Sequence, residues 1–103
     1  MQNKYKPKEI TIAGIKFDIV YRTMKDFGEL DFDGRKIYIS NKIKGEVLLD
    51  TVIHEAVHVM LSFSGLGYIL EDVHSELEEA LVRAFDNIAI PLVKKQIKDF
   101  YNI

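Results

Sequence analysis

Residues 51–61, TVIHEAVHVML, set two histidines four apart with a glutamate directly after the first. On an α-helix, positions i and i+4 share one face a single turn apart. His54 and His58 can therefore aim two imidazole nitrogens at one point, as a zinc ion with bonds of about 2 Å requires. Glu55 is rotated by about 100° from His54, which sets its carboxylate beside a metal rather than on it. From there it can act as general base, taking a proton from a zinc-bound water and returning it later. Those are the mechanics of an HExxH site, and HEAVH fits the motif throughout. The competing reading is a pair of core histidines satisfied by hydrogen bonds, with Glu55 on a solvated edge. Uncompensated imidazoles and a carboxylate are costly in so apolar a setting, which favours the metal site.

A catalytic zinc site takes three protein ligands and keeps one position open. The third ligand is sought in residues 71–81, EDVHSELEEAL. Glu76 leads, because it shares a helical stripe with Ala80 and Ala84, whose small side chains let two helices approach closely. Glu79 is the alternative, although its stripe continues through Arg83 and Asp86 and reads as more solvated. His74 and Glu78 follow, the latter already explained as a capping partner. A carboxylate at a helix start is also favoured by the macrodipole alone. Tyr68 and His74 are candidate donors to a transition-state oxyanion. A packed loop tyrosine and a surface histidine are the plainer readings of those two. Asp50, one turn before His54, is placed to orient an imidazole, or simply to sit on a solvated helix face.

The elements that must position these groups read as α+β. Residues 10–39 are strand-like: ITIAGIKFDIVY alternates β-branched and aromatic residues, with Gly14 as a turn. In GELDFDGRKIYIS, Asp33-Gly34 separates two strand-like runs, a hairpin signal. Ile37 and Ile39 alternate with Lys36, Tyr38 and Ser40, so one face is expected to be buried. The sum is a small antiparallel sheet of about three strands. It packs on the HExxH helix, expected over residues 45–63, and on a second, ligand-bearing helix. Gly65 can end the first helix in left-handed geometry. Ser75 is a good N-cap for the second, and Glu78 completes a capping box. Leu77, Leu81, Ala84, Phe85 and Ile88 keep helical spacing along it. Pro91 is expected to interrupt it before a last amphipathic helix.

The chain has 103 residues, no cysteine and a net charge of −2. That length suits one modest core, expected over residues 10–103 after a flexible N-terminal tail, 1–9. Without cysteine, disulfides and thiolate metal sites are excluded, which fits a reducing compartment. The acidic balance argues against a nucleic-acid partner. The most apolar run carries Asp50, His54, Glu55 and His58, which a bilayer core would penalise. No apolar signal segment opens the chain. The expectation is a cytoplasmic protein without a membrane partner.

The hairpin, VLLDTVIHEAVHVMLSFSGL, the acidic helix start and EALVRAF together resemble the short HExxH proteins of phage and prophage genomes. Those are minimal zincin-like domains related to ImmA/IrrE-type metallopeptidases. The resemblance covers roughly residues 27–90 and is strongest at HEAVH. It implies zinc (Zn2+) as cofactor, hydrolysis of a peptide bond in a peptide or protein substrate, and a glutamate of the following helix as third ligand. That favours Glu76 or Glu79 over His74. Zincin-type folds also present an edge strand along which an extended peptide binds. Residues 35–40, with Lys36, Ile37, Tyr38 and Ile39, are the candidate, an ordinary interior strand being the alternative. The longer relatives have recognition segments that this chain lacks, so their repressor-cleaving role does not carry across. Two rival readings stand beside the enzyme. One is a metal-binding, non-catalytic interaction module for a host or phage protein; the other is a plain α+β adaptor. The exposed face of the last helix is compatible with a homodimer.

Overall fold

The computed structural model describes residues 5–64 and 75–101. Four strands form one mixed sheet: β1 (Glu9–Ile12), β2 (Ile15–Arg22), β3 (Gly28–Asp31) and β4 (Lys36–Ser40), in the order β1-β2-β4-β3. Among the described residues three α-helices follow: α1 (Gly45–Phe63), α2 (Ser75–Ala84) and α3 (Ile90–Tyr101), the last two joined by a π turn, Phe85–Ala89.

The sheet thus has four strands where about three were expected, and it is not purely antiparallel. β1 turns into β2 through Gly14 at φ 79°, and β3 into β4 through residues 32–35. In that second turn the left-handed residue is Arg35, at φ 55°, and Asp31 Oδ1 accepts the Gly34 amide. β2 and β4, however, pair in parallel, with Ile19 opposite Ile37 and Tyr21 opposite Ile39. Residues 23–27 carry the chain past an open slot to the far edge, and β4 then fills the slot. Alternation fixes which face a strand buries but not which strand lies beside it. Within the stretch expected to be a tail, Pro7 and Lys8 already accept hydrogen bonds, from the Tyr21 hydroxyl and the Ile19 amide.

β4 is an interior strand, paired on both sides, which overturns Lys36, Ile37, Tyr38 and Ile39 as a substrate edge. The physical reason lies in the same residues, since fully buried Ile37 and Ile39 belong at the centre of the covered face. The edge beside α1 is β3.

α1 is apolar nearly all round because it is covered on two sides. Leu48, Val52 and Val59 pack on Phe17, Ile19, Ile37 and Ile39 of the sheet, whereas Val57 and Leu61 join Val82 of α2. Phe63 closes the far end against Phe17 and Phe32, at ring distances of 6.0 and 5.2 Å. Among the described residues, no helix is long and apolar enough to cross a membrane.

The second helix departs from its expected orientation. Val82 is fully buried and Phe85 packs beside it, while Glu76, Leu77, Ala80, Ala84 and Ile88 are exposed. Burying a valine and a phenylalanine removes far more apolar surface from water than burying two alanines. The Glu76–Ala80–Ala84 stripe therefore faces outward. Pro91 does not break the chain of helices. A proline ring clashes with the carbonyl four residues back, here that of Asn87. The π turn, in which the Ile90 amide bonds to Phe85 O, loosens the spacing just before it.

Candidate metal centre

Every second turn of α2–π–α3 presents a polar side chain to one face of α1. Asp50, His54 and His58 succeed one another at steps of four on that face. They meet in turn Lys94, Asp86 and the Glu78/Glu79 pair. Lys94 Nζ lies 2.5 Å from Asp50 Oδ1. His54 Nδ1 lies 2.5 Å from Asp86 Oδ2. His58 Nδ1 stands 3.8 Å from Glu78 Oε1, and its Nε2 stands 3.6 Å from Glu79 Oε1. The two imidazole rings are 5.0 Å apart and edge to face.

The HExxH histidines are thus side by side on α1, as their spacing requires. Glu79 is the carboxylate nearest His58 Nε2, and the solvated stripe expected of it is half right: its side chain is 50% exposed. Glu78 lies toward His58, and the capping partner expected for it is at a helix start that falls at the margin of the described residues. Glu76 is exposed and, among the described contacts, reaches neither histidine. Asp50 is drawn to Lys94 rather than to an imidazole. Gly65, Tyr68 and His74 lie outside the described residues.

Sequence reasoning missed Asp86. It sits on the π turn against His54. The available signal was its place seven residues after Glu79 and four after Val82, one helical face whose carboxylates were read as solvated.

Glu55 is only 7% exposed. It stands against β3, where a Cβ on Gly28 would come within 3.3 Å of Glu55 Oε2 and 2.9 Å of Thr51 Cγ2. The bare glycine lets α1 settle onto the sheet edge with its carboxylate between them. Burial raises the Glu55 pKa above the ordinary glutamate value. Charge on His54 and His58 opposes the rise, and Glu79 and Asp86 add to it. Glu55 and His54 lie on the wall of an open cleft of about 660 Å³. Its other walls are the approach to β3 (Lys25, Phe27, Gly28), the start of α1 (Val47), and Asp86 and Ile90.

Two imidazoles and a carboxylate are a donor set suited to zinc. His54 has Nδ1 engaged, so Nε2 is its remaining nitrogen, and His58 faces carboxylates on both nitrogens. Among the described residues, no three such side chains are grouped so that they could hold a metal ion together. Comparison of the chain with protein-family models, with curated protein sequences and with solved structures found no match in any of the three.

Proposed function

We propose that this chain is a zinc-dependent hydrolase of peptide bonds, a minimal HExxH metallopeptidase of zincin-like packing. The observation that carries the reading is Glu55, a buried carboxylate beside His54, held against Gly28 and open to the cleft. Burial opposes its ionisation, so the position weakens the fold and makes sense where a proton must be exchanged. His54, His58 and Glu79 would hold the metal, with Glu79 preferred to Glu76 on its distance to His58 Nε2.

A bound zinc ion supplies a Lewis acid that polarises the scissile carbonyl and eases ionisation of the attacking water. Glu55 accepts a proton from that water as the new C–O bond forms. It returns the proton to the amine nitrogen as the C–N bond breaks. A raised pKa suits both halves of that exchange. Asp86 takes the Nδ1–H of His54 and so fixes the tautomer, leaving Nε2 as a donor. Among the described strands β3 is the outer one, and its edge could take an extended peptide as a further strand. Phe27, Val47, Ile53 and Ile90 give the cleft apolar wall for a substrate side chain.

Two measurements on protein reconstituted with zinc test this. Elemental analysis should give about one zinc per chain, lost in His58→Ala and Glu79→Ala but kept in Glu76→Ala and Glu55→Gln. Cleavage of unstructured casein should be present in wild type and absent in Glu55→Gln. Failure of the wild type to take up zinc overturns the reading. Zinc uptake with no cleavage above the Glu55→Gln background leaves the non-catalytic interaction module.

A further inference from the structure

The helices after the candidate centre form one rod, and a row of apolar residues runs along its flank, beside the Val82–Phe85 face that meets α1. Leu77, Leu81, Ala84, Ile88 and Leu92 follow at steps of four, three, four and four, the later steps spanning the wider π turn. They stay on one side of it. Leu77, Leu92 and Ile88 are 49%, 58% and 69% exposed, Ala84 is exposed, and Leu81 is half-buried. Single exposed apolar residues are ordinary, whereas an aligned row marks a surface made to be covered. α3 sharpens the point. Among the described elements it packs only on the π turn, tied to α1 by Lys94 through Asp50 and Glu46. A twelve-residue helix with so little packing is marginal in water.

We infer that this row is the self-pairing surface of a two-fold dimer, in which the rods of two copies lie antiparallel. The row is nearly the same read in either direction: two large residues, a small one, two large. Reversed about Ala84, Leu77 meets Leu92 of the second copy and Leu81 meets Ile88 of the second copy. The small Ala84 falls at the crossing, where two helices need room to approach. A closed two-fold interface demands that kind of self-complementarity. The charges select the antiparallel sense. The first turn of α2 is acidic, with Glu76 exposed, and α3 carries Lys95 and Lys98. Antiparallel rods set the acidic start of each beside the basic end of the other, whereas parallel rods would abut like charges. Lys95 has a partner in its own helix, Asp99 at 3.0 Å, but that pair is exposed and leaves the lysine able to share. No residue of the row lines the cleft, so the inference does not rest on the peptidase reading.

The chain contains no cysteine, so a single introduced thiol reports one position. Sedimentation equilibrium on wild type and Ile88→Lys, with oxidative cross-linking of Ala84→Cys and Asp99→Cys, tests the pairing. Wild type should be a dimer at micromolar concentration. Ile88→Lys should be a monomer with unchanged circular dichroism, as expected for a change at an exposed site. Ala84→Cys should cross-link to itself and Asp99→Cys should not. A wild type that stays monomeric to several hundred micromolar overturns the inference. So does a dimer that survives Ile88→Lys, or one in which Asp99→Cys cross-links in preference to Ala84→Cys.

Discussion

His54 Nδ1 and Asp86 Oδ2 lie 2.5 Å apart and join positions 32 residues apart in the chain. The pair connects the HExxH motif on α1 to the π turn between α2 and α3. A carboxylate on the far nitrogen of a metal-binding histidine fixes the ring and raises its basicity, and losing it costs about 10–100-fold in metal affinity. Asp86→Asn should therefore weaken zinc binding by about that factor while leaving stoichiometry intact. A competitive chelator titration measures it. Equal affinity in the two proteins would reduce Asp86 to a surface partner.

Glu55 predicts a pH dependence with a definite sign. Its folded pKa is raised by burial above the ordinary value of 4.5. The stability it contributes is fully present below its unfolded pKa, where it is protonated in both states. That stability is lost as pH rises through the folded pKa, because the folded chain then holds a buried anion. Metal-free Glu55→Gln keeps the shape without the charge. It should unfold at a higher temperature than metal-free wild type at pH 7, with the gap closing toward pH 4. A gap of constant size across that range would mean that Glu55 is not the group responsible.

The HExxH helix was legible at about residues 45–63, because a largely apolar run with no internal glycine or proline is too long for a strand. The Gly14 and Asp33-Gly34 turns were legible for a similar reason, being local chemistry. What the sequence hid is relational. Ile37 and Ile39 announce a buried strand, yet only the crossing of residues 23–27 puts β4 in the middle and β3 at the edge. The rotation of α2 was hidden too. Two apolar stripes compete on that helix, and the one with Val82 and Phe85 faces α1 because it buries more surface. That choice turns Glu78, Glu79 and Asp86 toward the histidines and Glu76 away.

Gly28 sets the distance between the edge strand and the helix that carries Glu55. A methyl group there would stand 2.9 Å from Thr51 Cγ2, and a threonine held in a helix has little room to give. Gly28→Ala should cost about 1–3 kcal/mol in denaturant unfolding through overpacking. Casein cleavage should fall more than zinc binding, since Glu55 rather than the histidines is displaced. Wild-type stability and turnover in this variant would show that the strand edge yields freely.

Pro91 gives the last prediction. It has no amide to donate and its ring crowds the Asn87 carbonyl, so the turn before it widens, and Asp86 rides on that turn. Pro91→Ala removes the obstacle, and alanine favours a regular helix by up to about 3 kcal/mol. The turn should tighten into α-helix and swing Asp86 off His54. The expected signature is thermal stability equal to or above wild type, together with zinc affinity reduced as far as in Asp86→Asn. The double variant should be no weaker than either single one, because both act through the same contact. Full affinity in Pro91→Ala would separate the π turn from the centre and leave Asp86 positioned by its own side chain alone.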